Sequence, residues 1–315
     1  MSTGALGGSL PAGGESNFSP LAHNSSVSAN QKRLIVNADD LGLSRGITDG
    51  ILFAHQQGIV TSTSYMVNQP ASEYAAEQLR KYPSLDVGIH LNLCQGKPVL
   101  PPTAVPSLVD ADGTFLSPSR MARRLTLWRA SPKEILSEFC AQIDRMLATG
   151  LTPSHADSHH RFHFYPAAAV AFEKAVRSRG ICRARAARKV FWPSNGSASK
   201  AHAGSFFRQR GVYAYNEFLQ KVVFRSLKLP DAGVAFHPAF RGKLQQLPEA
   251  WDFTVRNMPP GTYEIWCHPG FPEAGFSESD RLSKQRVLEI KILTDPALGM
   301  NVRDAQIQLT PFTAL

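Results

Sequence analysis

The feature that most restricts this fold is an alternation of short apolar or β-branched runs with stretches of helical periodicity. The runs are Leu34 to Asn37, Ile59 to Met66, Leu85 to Leu93, Pro153 to His163, Ile181 to Ala184, Gly233 to His237 and Thr262 to His268. A terminal strand is expected at Ala305 to Leu309. Between them, Ile47, Ile51, Leu52 and His55 predict a helix that Gly58 closes, and further helices are expected over Ala71 to Lys81, Pro132 to Thr149 behind a Ser131 cap, Pro166 to Arg179, Asn216 to Leu227 and Ser279 to Leu293. Strands that alternate with helices pair in parallel through crossovers. No Gly-rich dinucleotide turn follows the first strand, so an α/β barrel is favoured over a nucleotide-binding sheet.

Chemistry-bearing side chains gather where these strands end. Asp39 and Asp40 stand at the end of the first, followed by Gly42 and the capping Ser44. His90 lies on the third, four histidines crowd the segment His155 to His163, and His268 ends the strand Thr262 to His268. Alone, Asp-Asp-Leu-Gly is ordinary turn chemistry. Parallel barrels, however, bring all C-terminal strand ends to one rim, so ligands from different strands meet there. One carboxylate and two imidazoles leave coordination positions open, as catalytic metals require. A second Asp beside the ligand is then placed to act as general base, and a His across the site as general acid.

Composition bounds the rest. The chain has 315 residues, 43% hydrophobic, enough for one large domain. Its net charge of +9 comes largely from Arg120 to Arg129 and Arg177 to Lys189, which lack the interleaved aromatics of a base-stacking surface; they read as a solvated basic face, and no nucleic-acid partner is expected. The four cysteines are far apart with no CxxC pair, which argues for reduced thiols and a cytoplasmic location. Residues 1–31 read as a disordered leader and residues 32–315 as the barrel. The proline-bearing stretch Gly96 to Phe115 reads as a long ordered loop of the kind that forms lids or binding surfaces.

Four segments together resemble the YdjC-like carbohydrate deacetylases, a family with chitooligosaccharide deacetylases and a hopanoid-associated branch. They are Asn37-Ala-Asp-Asp-Leu-Gly42, Gly88-Ile-His-Leu-Asn92, His155-Ala-Asp-Ser-His-His160 with His163, and Cys267-His-Pro-Gly-Phe271. The resemblance implies a distorted TIM-like barrel that removes the N-acetyl group of an amino sugar, either a soluble chito-oligosaccharide or a lipid-linked sugar at a membrane surface. It further implies Asp39 as base, Asp40, His90 and His159 as ligands of a divalent metal, His268 as acid, Mg2+ as the usual ion and a homodimer as the usual assembly. From the donor set alone, Zn2+ and Mn2+ fit as well.

The remaining residues of these segments are read more modestly. His155 and Asp157 are expected to orient ligands, His160 and His163 to contact substrate or the structure, and Asn92 to do one or the other. Arg161 stands where relatives often carry a third histidine; facing the substrate, it would favour an anionic or differently linked sugar. His237, His55 and His202 read as structural, and Trp192, Phe206, Phe207 and Phe271 as packing or loop anchors. Two rival readings stay open: another metal-dependent barrel enzyme acting on sugars, an isomerase or phosphoester hydrolase, and a non-catalytic glycan- or lipid-binding protein.

Overall fold

A computed structural model describes residues 30–187, 214–234, 244–275 and 280–315. Nearly all of the expected leader, the Val190 to Arg210 segment with its aromatics and His202, and His237 lie outside the described residues. Seven strands form one parallel sheet: β1 (Lys32–Leu41), β2 (Ser62–Tyr65), β3 (Asp86–Leu91), β4 (Ala156–Ser158), β5 (Ala232–Val234), β6 (Gly261–Cys267) and β7 (Ile307–Leu309). Their order is β4-β3-β2-β1-β6-β5, with β7 beside the first residues of β1. Two isolated parallel bridges carry the pairing onward: Ala184 meets Ala156 of β4, and Arg183 meets Lys228, just ahead of β5. The sheet thus curls back toward its other edge as the expected distorted barrel.

Burial explains why β1 is central. Leu34, Ile35, Val36 and Ala38 are all fully buried, because a parallel strand is covered on both faces. The strand is longer than the apolar run alone predicts. It continues through Asp39 and Asp40 to Leu41, with its register against β2 broken between Ala38 and Leu41 and with Asp40 at φ +75°. That irregularity is a β-bulge, which breaks the alternation of faces and re-aims side chains.

Eight α-helices among the described residues flank the sheet. α1 (Arg45–Gln57) starts where Ser44 accepts a hydrogen bond from Ile47 N and ends at Gly58, as its pattern predicts. α2 (Ser72–Leu79), α4 (Pro132–Ala148), α5 (Pro166–Ser178) and α7 (Ser283–Leu293) fall near their expected bounds. α3 (Pro118–Thr126) and α8 (Pro296–Asp304) bury two residues each, and α6 (Leu247–Arg256) buries Leu247, Ala250, Trp251, Thr254 and Val255 at helical spacing; none of the three is among the expected helices. The strand expected to reach His163 stops at Ser158, because the Ser158 hydroxyl accepts from His163 N and bonds His163 Nδ1, folding His159–Phe164 into a 3-10 turn. The helix expected over Asn216 to Leu227 breaks into a π-turn, Leu219–Val223.

One polar stripe on α4 organises the long loop after β3. Glu134 accepts from Ser107 N, Glu138 accepts from Val99 N and Leu100 N, and Gln142 exchanges two hydrogen bonds with the backbone of Asn92. Spaced four residues apart, these side chains share a helix face and pin the loop along its length. At the opposite side of the rim, α1 lies against the segment after β6. A Cβ on Gly50 would come within 2.5 Å of Gly270 Cα, and Phe271 N donates to Gly46 O. Backbone cannot yield as a flexible side chain does. Gly50→Ala is therefore expected to cost about 1–3 kcal/mol of stability, read as a lowered midpoint in chemical denaturation, and to displace the His268 segment.

Candidate active site

The bulge in β1 turns two consecutive carboxylates toward one rim. Asp39 is held on both oxygens: Arg185 Nη2 donates to Oδ1 at 2.6 Å and Nη1 to Oδ2 at 2.8 Å, while Asn37 Nδ2 also donates to Oδ1 at 2.8 Å. Asp40 Oδ2 accepts from Arg286 Nη2 at 2.8 Å. Its other oxygen, Oδ1, faces His159 Nδ1 at 3.0 Å and His90 Nε2 at 3.5 Å. Burial alone would raise the Asp40 pKa, but the His159 and Arg286 charges outweigh it and hold the carboxyl well below its usual range.

Asp157, on β4, orients His90 from behind. His90 Nδ1 lies 2.7 Å from Asp157 Oδ1, which leaves Nε2 directed at Asp40. The other Asp157 oxygen accepts from Ser64 Oγ at 3.0 Å and pairs with Arg185 Nη2 at 2.6 Å. Burial disfavours the imidazolium of His90, but the Asp157 carboxylate, with its hydrogen bond, and the Asp40 carboxylate facing the ring push its pKa up to about 10. Arg185 Nε donates in turn to Glu264 of β6 at 2.7 Å. Burial pushes the Glu264 pKa up to about 7, against the pull of Arg185.

Two imidazoles stand at the solvent side of this cluster. His159 and His268 have side chains 13% and 14% exposed, against 2% for His90 and 1% for Asp40, so they are the ones a dissolved molecule meets. His268 Nε2 is 4.0 Å from Asp39 Oδ2, and its backbone N–H donates to Glu289 of α7. His159 Nε2 lies 3.1 Å from Gln95 Oε1, on the loop that α4 pins.

The other expected residues take varied places. His155 is buried, stacked on Phe312 at 3.8 Å, with Nδ1 on Ser154 Oγ and Nε2 3.4 Å from Ser64 Oγ; burial holds its pKa down near 3. His163 is buried among Phe164, Phe172 and Phe224, which makes it structural. Asn92 is fully buried and caps the turn at Cys94 and Gln95, away from solvent. His160 is exposed, its ring 4.5 Å from His159. Arg161 lies over the rings of Phe164 and Trp266, at 4.6 and 5.4 Å.

Three residues that sequence reasoning passed over complete the cluster. Arg185 belongs to a stretch whose charge reads as a solvated face, yet it is 1% exposed. Its signal is local: Ala184, Ala186 and Ala187 around it are all buried, unlike the flanks of a surface arginine. Arg286 and Glu264 carried no motif; Glu264 is placed by the register of β6 against β1, where it pairs with Ile35, and Arg286 reaches Asp40 from α7.

The donor set suits a divalent cation. Asp40, His90 and His159 offer one oxygen and two nitrogens within 4.8 Å of one another. Asp40 Oδ1 is buried and receives no hydrogen bond, although two imidazoles face it. An anionic oxygen left in that state is costly without a cation.

Against this geometry, the relatives are informative. The chain belongs to the YdjC-like protein family, which it matches over residues 33–303. It is 32% identical over 278 residues to a carbohydrate deacetylase of Geobacillus stearothermophilus, covering 88% of this chain and 96% of that one. A carbohydrate deacetylase of Vibrio vulnificus is 32% identical over 283 residues, covering 90% and 96%. Among solved structures, a proposed cellobiose-phosphate cleavage protein of Enterococcus faecalis superposes with a TM-score of 0.71 at 28% identity, covering 90% of this chain and 98% of that one.

Two outcomes follow from the electrostatics. Arg185→Met leaves Asp39, Asp157 and Glu264 buried without their shared cation, and is expected to cost about 3–5 kcal/mol. The loss should shrink in acid as the carboxyls protonate, which denaturation at two pH values would read. In metal-free protein, the His90 pKa is raised from 6.5 to about 10. The stability it contributes is therefore fully present below pH 6.5 and lost as pH rises through about 10. His90→Gln should flatten that slope in thermal unfolding measured across the same range.

Proposed function

We propose that this protein is a divalent-metal-dependent carbohydrate deacetylase. It hydrolyses the N-acetyl group of an N-acetylglucosamine-containing sugar, a chito-oligosaccharide or a hopanoid-linked glycolipid. The observation that carries the reading is the meeting of Asp40, His90 and His159 around one point, with Asp39 and His268 on the same rim. The names of the curated relatives supply the reaction class.

An amide carbonyl is a poor electrophile. A divalent ion held by Asp40, His90 and His159 would polarise it and stabilise the negative charge that develops on its oxygen. Mg2+ is our first candidate. The chain's own residues do the proton work. Asp39 is the base: Arg185 and Asn37 fix both its oxygens, and Asp39 takes a proton from the attacking water as the new C–O bond forms. His268 is the acid: its Nε2 gives a proton to the departing nitrogen as the C–N bond breaks, releasing acetate and a free amine. Glu289 steadies the backbone of His268, and Asp157 holds the His90 ring with Nε2 forward. A phosphoester hydrolase or isomerase on this barrel would call for further carboxylate ligands on the late strands. β6 instead ends at Cys267, with His268 the next residue.

The test is acetate release from diacetylchitobiose and from an N-acetylglucosaminyl lipid, after chelation and with single ions restored. Asp39→Asn is expected to lower turnover by about 10²–10⁴-fold while still binding the ion. Asp40→Asn is expected to lose ion binding in equilibrium dialysis along with activity. Full activity in chelated protein, or full ion binding by Asp40→Asn, would remove the basis of the reading.

A further inference from the structure

Five of the nine large apolar side chains exposed among the described residues lie on elements packed in a row, hereafter the wall: Leu127, Trp128, Val170, Phe218 and Val222. The wall is built from α3 and the residues just after it, α5, and the segment that enters the π-turn Leu219–Val223; α3 packs on α5, and α5 on the π-turn. Trp128 is its most prominent member, 63% exposed and in left-handed backbone at φ +54°. Bulky residues rarely adopt that conformation, so the chain holds an indole out to water at a conformational cost.

The charge of the wall is one-sided. α3 contains no acidic residue, and the acidic residues of α5 and of the segment entering the π-turn, Glu173 and Glu217, are paired, with Arg177 at 3.4 Å and Lys221 at 2.9 Å. Arg123, Arg129, Lys174 and Arg225 are exposed and have no carboxylate within ion-pair distance among the described residues. On α5, the exposed Val170 and Lys174 are four residues apart, so an apolar and a basic side chain are neighbours on one face, and the exposed Phe218 and Val222 lie on the segment packed beside it. An aromatic and aliphatic stripe edged by unpaired cations is the pattern of a surface that sits at a lipid interface. A protein partner of mixed charge would leave these cations unmatched.

We infer that this wall docks on an anionic lipid bilayer, with Trp128 and Phe218 at the headgroup level and the arginines on lipid phosphates. The wall adjoins the rim that carries the site. α5 begins at Pro166, directly after the His159–Phe164 turn, and Tyr215 Oη donates to Phe164 O at 2.8 Å. Docking would bring His159 and His268 near the membrane surface, where a sugar carried by a lipid is presented. That consequence for substrate rests on the deacetylase reading; the docking itself does not.

The test is flotation of the full chain with vesicles of phosphatidylcholine alone and of phosphatidylcholine mixed with an equal part of phosphatidylglycerol. Binding is expected to the mixed vesicles and not to the neutral ones, weakening as salt is added. Arg123→Glu with Arg129→Glu should reduce the bound fraction by about tenfold or more, and Trp128→Ala with Phe218→Ala should do the same. Tryptophan emission should shift to the blue on binding in the parent chain and lose that shift in Trp128→Phe, a change small enough to preserve folding. All of these variants should keep their turnover of soluble substrate, and Asp39→Asn should bind vesicles as the parent does, so loss of docking and loss of catalysis are read apart. No binding to mixed vesicles at low salt, or binding indifferent to these substitutions, would overturn the proposal. So would a dimer that Trp128→Ala dissociates in the absence of any vesicle binding, since the wall would then belong to a second copy of the chain.

Discussion

A single buried guanidinium governs the arrangement of the site. Arg185 donates to Asp39, pairs with Asp157 and donates to Glu264, and it is 1% exposed. Three carboxylates so close together repel one another in a low-dielectric interior unless a cation sits among them. Arginine suits the place because its planar fork meets several oxygens at once without losing its charge. Through Arg185 the Asp39 carboxylate on β1, the His90-orienting carboxylate on β4 and a buried carboxylate on β6 become one unit. It also lies at a seam, since its own segment continues the pairing from β4 toward β5. The interaction that sets the electrostatics therefore also helps to close the barrel.

The backbone departs from regularity where side chains must be re-aimed. In an unbroken strand, Asp39 and Asp40 would face opposite sides of the sheet. The bulge against β2, with Asp40 at φ +75°, puts both at the same rim. The second departure, His160 and Arg161 in left-handed backbone, turns the chain within the His159–Phe164 segment. Strain of this kind persists only where surrounding contacts fix it. Ser158 fixes one end of that turn through His163, and the aromatic packing of His163 fixes the other.

What the sequence made legible follows from how local each signal is. The alternation of strands and helices, the Ser44 and Ser131 caps and the residues that meet at the rim all rest on patterns within a few residues, and they could be read. The bulge could not, because it is a matter of register between β1 and β2. Nor could Arg185: a cation in a basic run looks solvated until tertiary structure surrounds it with acids. The short helices α3 and α8 bury two residues each, too few to stand out as periodic, whereas α6 carries a helical spacing, Leu247, Ala250, Trp251, Thr254 and Val255, that was there to be read.

The histidines show most clearly how environment divides like side chains among different tasks. His90 faces two carboxylates, and these overcome burial to favour its proton. His155, on the neighbouring strand end, is equally buried but stacks on Phe312, and burial dominates there. Gly88 makes room for that ring, since any side chain at position 88 would occupy the place of the imidazole. His163, enclosed by three phenylalanines, is driven further toward the neutral form by burial, which the distant Asp157 does not offset. Identical imidazoles thus sort by partner, those beside carboxylates and solvent forming the site and those against aromatic faces forming its wall. A motif dense in histidine is therefore ambiguous as sequence: the histidines of the site are told from the packing residues by where Asp40, Asp157 and Phe312 come to lie.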